Sequence, residues 1–377
     1  MRARARSGET IIRTWRWAVV LGVAALLAAL PQAISTIPAA ESGVGAAELL
    51  RRIVGSENVA HQGLAESDAR FRFPDFRRAQ RLVELFGETT SMRVWWRDEL
   101  RWRVDELDPI GERGTYSGAS GLWVWNSGGR AATRIDGHAD VRFARAADLV
   151  PSVLGRRLAS AAAPGEAVRL RARRIAGVHA AGLRLTPRSE DTTVEQVDLW
   201  ADPSTGVTIA IEITPRGGDV MISSKFLDID FKRPSRDVLA FELPGDASHN
   251  HAEVQDFANA VDRYSPFLLP DRLSSLPRRT SIARAAATYG SGFDLVAALV
   301  LNARFAPFRS DELATVPEVR GRFGTGRLLE TPLLNGLYVE SGGVVYMVAG
   351  TVTPDVLLEV ADALVRDIRS GAVRSGS

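Results

Sequence analysis

A mainly β fold with helices, of the α+β class, is what this 377-residue sequence predicts, and three observations predict it. Short segments of alternating polarity follow one another closely from residue 92 onward. One stretch with helix-like spacing, 145–164, interrupts them, and a further strand pair followed by an amphipathic helix closes the chain. The length exceeds the roughly 250–300 residues at which single cores usually split, so two folded domains are expected.

The N-terminus precedes both. Arg2, Arg4, Arg6, Arg13 and Arg16 stand before a stretch, 17–40, that carries no charge and is most densely apolar over 18–30. Such a stretch is close to the roughly 20 residues that cross a bilayer, and its basic flank, 1–16, should stay in the cytoplasm. Residues 17–40 are therefore expected to be a transmembrane anchor or a signal peptide. The bulk of the chain then lies outside the cytoplasmic membrane, or is secreted if the segment is cleaved. Pro31 interrupts the apolar run, and the only acceptable small-residue site, Val44-Gly45-Ala46, lies well beyond it, so both alternatives stand.

Without residues 1–40, which hold five arginines and Glu9, the 47 basic and 45 acidic residues become 42 and 44. The exported part is about neutral, and no nucleic-acid partner is expected from that balance. Cysteine is absent, which excludes disulfides, a thiol nucleophile and a lipid anchor on an N-terminal cysteine.

Past a Gly/Ala-rich spacer, residues 46–54 read as a short amphipathic helix with Leu49, Leu50 and Ile53 on one side. Residues 92–97 and 100–105 then alternate. In the second, Leu100, Trp102 and Val104 point one way while Arg101, Arg103 and Asp105 point the other, toward water. Asp98 and Glu99 between them have the length of a tight hairpin. Strands at 113–116, 122–125 and 131–135 continue an antiparallel meander. Within 145–164, Ala146, Ala147, Leu149, Val153, Leu154 and Leu158 give one or two short helices broken at Pro151. Strands resume at 167–175, 180–186, 194–200, 207–213 and 220–231, punctuated by turns at 202–206 and 215–218.

The polar stretch 244–250 marks the predicted boundary between a domain at 46–245 and a second at 255–377. The second should contain a helix at 281–287, strands at 333–339 and 344–348, and a closing helix with Thr353 as N-cap and Pro354 at its first position. The apolar stripe of that helix, with Val356, Leu357, Val360, Leu364, Val365 and Ile368, is expected to pack on its own sheet.

The run Val197-Asp198-Leu199-Trp200-Ala201-Asp202-Pro203-Ser204-Thr205-Gly206 is similar to the strand, aspartate-turn, strand signature of the bacterial family that includes the lipoprotein carrier LolA and the regulator RseB. Phe226-Leu227-Asp228-Ile229-Asp230-Phe231 and Phe241-Glu242-Leu243-Pro244 resemble that family's closing strands, and 58–66 around Gly63 its opening. The stretch 344–353 resembles the C-terminal part of RseB-like proteins of GC-rich Gram-positive bacteria. The resemblance implies an incomplete antiparallel β-barrel, closed on its concave side by short helices and enclosing a hydrophobic cavity for the acyl chains of a lipid or lipoprotein. Residues that could line such a cavity are Met92, Val94, Trp96, Leu100, Trp102, Val104, Trp123, Trp125, Leu149, Leu154, Leu199 and Phe226. The bulky rings among them could equally fill it. A protein with an anchor and an extra domain cannot shuttle freely, which implies a fixed lipid-binding or sensing role beside an anti-sigma factor or an export transporter.

Catalytic, metal and cofactor sites are not expected. No His-Glu-x-x-His occurs, and His249 with His251 falls short of the three or four donors that zinc takes. Asp228 and Asp230 alternate with Leu227, Ile229 and Phe231 as a wet strand face does. Ser120 does not complete a Gly-x-Ser-x-Gly elbow, and 290–292 and 321–326 read as turns because no lysine and hydroxyl pair follows.

Overall fold

Period-two alternation builds the larger of two sheets in the structure, a computed structural model that describes residues 39–74, 80–108, 111–119, 121–137, 144–163, 165–253, 261, 263, 265, 267–306, 308 and 312–370. The basic flank and, but for Ala39 and Ala40, the anchor or signal segment lie outside the described residues, as does Ser120. Among the described residues, no helix is long and apolar enough to cross a membrane.

Helix α1 (Ala46–Val54) leads into β1 (His61–Ala69), and helix α2 (Gln80–Gly87) follows. The meander comprises β2 (Thr89–Asp98), β3 (Arg101–Asp108), β4 (Gly111–Gly118), β5 (Gly121–Asn126) and β6 (Ala131–Asp136). Two helices, α3 (Ala146–Leu149) and α4 (Pro151–Ala161), divide at Pro151, which opens the second of them where its missing N–H costs nothing. Then come β7 (Ala167–Ile175), β8 (Val178–Leu185), β9 (Val194–Ala201), β10 (Thr208–Pro215) and β11 (Ile222–Asp230), a short helix α5 (Arg236–Leu239), and β12 (Ser248–Glu253).

The twelve strands run in the order β12-β6-β5-β4-β3-β2-β1-β11-β10-β9-β8-β7. The sheet is open, since β12 and β7 stand at its two ends. Pairing is antiparallel throughout, except that β12, drawn from the polar stretch after Pro244, adds to β6 in parallel. The meander is joined to the later strands through β1, which pairs with β2 on one side and β11 on the other.

One face of this sheet is covered by helices. Leu49 and Ile53 of α1 and Ala159 of α4 are buried with Leu183, Leu185, Val197, Leu199 and Ile211. Ala146, Ala147 and Leu149 of α3 are buried with Met92, Val94, Trp96, Val104 and Phe226. Ser224 Oγ donates to Leu149 O at 2.6 Å, which ties α3 to the middle of the sheet.

The second sheet has eight strands in the order β13-β14-β15-β16-β20-β19-β18-β17. They are β13 (Arg272–Leu273), β14 (Leu276–Ala283), β15 (Ala286–Ser291), β16 (Asp294–Asn302), β17 (Glu318–Gly321), β18 (Gly324–Leu329), β19 (Asn335–Ser341) and β20 (Val344–Gly350). Helix α6 (Pro354–Arg369) buries Leu357, Val360, Leu364, Val365 and Ile368 against Val296, Val300, Leu337 and Val348, so its stripe packs on its own sheet. The helix predicted at 281–287 is instead the turn of the β14–β15 hairpin, with Ser281 opposite Ala287. Ala283, Ala285, Ala286 and Ala287 are all buried there, and packing between strands overrides the helix preference of alanine. Thr353 makes no side-chain cap; its N–H donates to Asp191 O at 2.7 Å. The predicted turns at 290–292 and 321–326 fall at the β15–β16 and β17–β18 hairpins.

The two sheets meet at Thr192 and Thr193. Thr193 N donates to Thr351 O at 2.9 Å, its Oγ1 to Leu333 O at 2.6 Å, and Thr192 pairs with Val352. Phe293 and Leu333 are buried in the core beneath α1, which makes the junction apolar as well as hydrogen-bonded.

Candidate ligand-binding face

Every second residue of β2 is buried, Thr90, Met92, Val94, Trp96 and Asp98, and of these Met92, Val94 and Trp96 lie in the helix-covered cluster. Register then sets Val94 opposite Val104 and Trp96 opposite Trp102. The two indoles stack with centroids 5.9 Å apart and planes 8° apart. Trp96 Nε1 donates to Glu57 O at 2.8 Å, so the ring is fixed at its polar end while its body stays in apolar surroundings.

His61, at the start of β1, completes the cluster. Its ring lies 6.2 Å from Trp96, stacked, and 5.8 Å from Phe226, edge-on. Nδ1 is 2.8 Å from Val59 O, which only accepts, so Nδ1 carries the proton and Nε2 accepts from Ser152 Oγ at 2.9 Å. Burial pushes the imidazole pKa down to about 4, the Val59 hydrogen bond opposes this, and the positive charge of Arg156 adds to it. Arg156 itself sits 5.2 Å over the Trp96 ring. His61 is thus a neutral bridge between the sheet and α4.

Of the residues expected to line a cavity, Met92, Val94, Trp96, Val104, Leu149 and Phe226 are buried in one cluster, with Trp102 half-buried against it. Leu199 is buried in the neighbouring cluster, with Leu154 packed at its edge. Three lie elsewhere. Leu100 is 75 % exposed in the β2–β3 turn, because the hairpin closes one residue later than the alternation implied, with Asp98 opposite Arg101. Trp123 and Trp125 lie on the opposite face, in register with Tyr116 and Gly114 and packed on Phe241 at 4.9 and 6.2 Å. Leu122 and Val124 instead share the face of Trp102 and Val104. Every residue from 122 to 125 is apolar, so alternation alone could not choose the face.

That opposite face holds a buried ion pair, where a wet surface was expected. Arg103 Nε donates to Asp105 Oδ1 at 2.8 Å, and the guanidinium lies between Trp95 at 4.8 Å and Tyr116 at 4.6 Å. Asp105 is fully buried, and burial pushes its carboxyl up to about 6 although Arg103 opposes this. The segment of α5 and Phe241 covers the pair, with Val238 O accepting from Arg103 at 3.3 Å. A covering segment so far along the chain leaves no mark in the strand's own alternation.

His249 stacks on Trp123 at 5.4 Å and His251 Nε2 lies 3.0 Å from Asp136. Among the described residues, no three His, Asp or Glu side chains are grouped to hold a metal ion. A cleft of about 410 Å³ opens at the junction of the two sheets, between Thr193, Arg216, Glu330, Thr331, Asn335 and Thr353.

Helix α4 reaches the sheet at Gly155, where an added Cβ would stand 2.4 Å from Thr208 Oγ1 and 2.7 Å from its Cβ. Gly155→Val should therefore lift α4 and cost about 2 kcal/mol, the scale of an overpacked core. A red shift of tryptophan emission with a lower urea midpoint would bear this out, and unchanged values would refute it.

No protein-family model and no curated protein matches this sequence. Solved structures do match. The Pseudomonas aeruginosa MucA/MucB complex aligns at 16 % identity and a TM-score of 0.48, over 84 % of this chain and 96 % of that one. A LolA-superfamily protein of Nitrosomonas europaea aligns at 13 % identity and a TM-score of 0.23, over 53 % and 99 %. A putative outer membrane lipoprotein-sorting protein domain of Vibrio parahaemolyticus aligns at 11 % and 0.22, over 52 % and 95 %. The matched folds are of the MucB and LolA kind. The Gram-positive, GC-rich type expected from the sequence finds no support among them.

Proposed function

We propose that this chain is an exported binding protein and not an enzyme, holding an acyl chain of a lipid or lipoprotein against the helix-covered face of its large sheet, outside the cytoplasmic membrane. One observation carries the reading. The apolar row Met92, Val94 and Trp96, continued by Phe226 and Val104, is covered by three short helices, α2 through Leu85, α3, and α4 through Val153, in place of a second sheet. Short helical pieces of 8, 4 and 11 residues can part from such a face at smaller cost than a hydrogen-bonded sheet, and Trp102 already stands half-exposed at its rim. An acyl chain entering beside the Trp96–Trp102 pair replaces helix contacts with its own methylenes, each worth about 0.8 kcal/mol when buried.

The test uses the purified full chain. Solvent extraction and native mass spectrometry should find acyl ligand, and a brominated fatty acid should quench tryptophan emission in the native protein but far less in the Trp96→Phe/Trp102→Phe double variant. No bound acyl chain and no quenching would sink the reading. A second reading, a regulator gripping the extracytoplasmic segment of an anti-sigma factor or export transporter, is favoured by the junction cleft. Its Arg216 and Glu330 side chains suit the polar and charged groups of a peptide better than an acyl chain. Crosslinking in cells that recovers such a partner through Arg216 would favour it over the first.

A further inference from the structure

At the end of the large sheet where β2 turns into β3, basic residues outnumber the acids beside them in the chain, Asp98, Glu99, Asp230 and Asp237, by five to four. Arg97, Arg101, Lys232, Arg233 and Arg236 stand there, and of these Arg101 is paired with Asp98 and Lys232 with Asp230. Arg97, Arg233 and Arg236 have no hydrogen-bond or ion-pair partner among the described residues' side chains, and Arg97 Nε is buried without an acceptor. Desolvation first, then the charges of Arg233, Arg101 and Arg236, pull the Arg97 pKa below the usual arginine value, with Asp98 opposing. Guanidiniums that repel one another and lack acceptors bind anions with oxygen acceptors, phosphates above all.

Apolar groups project from the same end. Leu100 is 75 % exposed at the tip of the β2–β3 turn, and Phe231, two residues before Arg233, is 37 % exposed. A protruding leucine with Arg97 and Arg101 in the same hairpin is suited to a lipid interface, where the apolar tip enters and the cations meet headgroups.

The path of the chain points the same way. Ala40 N donates to His179 Nδ1 at 3.1 Å, and Glu41 accepts from Ala172 N at 2.8 Å, so the chain enters the fold beside the β7–β8 turn. Register carries that turn to the arginines: Ala181 is opposite Ala201, Ala210 opposite Lys225, and Gln62 lies between Asp230 and Trp95. The β7–β8, β9–β10 and β2–β3 turns therefore share one end of the sheet. The uncharged stretch 17–40 is joined to the fold at the end that carries the arginines.

We propose that this end of the sheet is a docking face for a membrane surface rich in anionic lipid, with Arg97, Arg233 and Arg236 on lipid phosphates and Leu100 in the interfacial layer. It orients the rim at Trp96 and Trp102 toward the bilayer, and it holds whether or not the helix-covered face binds acyl chains.

The chain has no cysteine, so single labels are available. Leu100→Cys and Glu88→Cys, at opposite ends of β2, are each labelled with a polarity-sensitive fluorophore in the full chain. Each is mixed with vesicles of phosphatidylglycerol and phosphatidylcholine carrying a headgroup-proximal spin label. Quenching several-fold stronger at position 100 than at 88 is expected. That ratio should fall to near one on pure phosphatidylcholine, in the Arg97→Gln/Arg233→Gln/Arg236→Gln variant, and in about 1 M salt, where the Debye length is about 3 Å. The Arg233→Gln/Arg236→Gln variant, altered only at exposed positions, should give an intermediate ratio with unchanged circular dichroism. Equal quenching at both positions, or a ratio indifferent to lipid charge and to these substitutions, overturns the proposal. So does a position-100 response to soluble polyglutamate with none to vesicles, which would make the face a site for an acidic polypeptide.

Discussion

Acidification from pH 7 to pH 4 should cost the folded protein about 3 kcal/mol through His61 alone. The sign follows from the depressed pKa. Unfolded, the imidazole takes a proton near 6.5; folded, burial holds it neutral down to about 4. The stability that neutral His61 supports is complete above 6.5 and is lost as pH falls through that interval. The magnitude is large because a protonated ring would lose the hydrogen bond it accepts from Ser152 Oγ, and would place a cation between Trp96 and Phe226 near Arg156. His61→Gln removes the titration and keeps an amide able to bridge the sheet and α4. Urea midpoints followed by tryptophan emission at closely spaced pH values should fall in the native chain relative to the Gln variant as pH drops from 6.5 to 4. A difference between the two proteins that stays constant over that interval would rule out His61 as the source. Asp105 acts in the opposite sense. Its raised pKa makes the fold relatively more favourable below the unfolded value near 3.8, and that advantage is lost as pH rises toward 6. The two trends oppose one another between pH 4 and 6, so the difference between variants is the quantity to read.

The elements that the sequence made legible are those whose alternation is carried by large apolar side chains. Residues 92–97 and 194–200 fall inside β2 and β9, and the helical interruption breaks at Pro151 as expected. What escaped is explained by residue type. Strand β1 places His61, Ala65, Ser67 and Ala69 on its buried positions, so it has almost no apolar signal although it joins the two halves of the sheet. It stays narrow there because the face it supports is filled from both sides, by Trp96 and by Phe226. Strands β14 and β15 are hidden by an alanine-rich run that pairs across a turn. For the candidate site, the residues of β2 and β3 were identifiable because large apolar residues recur at every second position, Met92, Val94 and Trp96, then Trp102 and Val104, with Arg93, Arg97, Arg101, Arg103 and Asp105 between them. Residues 122–125 were not, since no polar residue marks their outer positions. His61, Ser152 and Arg156 were missed because they depend on contacts of α4 with β1 and with Trp96 of β2 across 60 to 91 positions, which pattern within one segment cannot reveal.

Gly206→Ala should destabilise the protein by about 3 kcal/mol or more, through a contact that explains why the aspartate-turn run is so distinctive. Asp202 Oδ1 accepts from Thr205 N at 2.8 Å, Ser204 N at 3.1 Å and Thr205 Oγ1 at 2.8 Å, and Gly206 N returns to Asp202 O at 2.9 Å. That tight turn leaves Gly206 at φ +78°, where an L side chain is strained, and brings it against the end of α1. A Cβ there would lie 2.1 Å from Arg52 O and 2.8 Å from Ile53 N, both backbone atoms that no rotamer change can move aside. Arg52 in turn donates to Pro203 O, so turn and helix hold one another. The helix must therefore retreat, and with it Leu49 and Ile53, both fully buried over Leu183, Leu199 and Ile211. Hydrogen exchange should report faster loss of protection in residues 46–54 of the variant than anywhere in the second sheet, alongside a lower urea midpoint. Ser204→Ala, which leaves the glycine and the Thr205 bonds in place, should cost less than about 1 kcal/mol. Native protection of α1 in Gly206→Ala would mean that helix and turn are not coupled, and that the run serves some purpose other than seating the helix that covers the sheet.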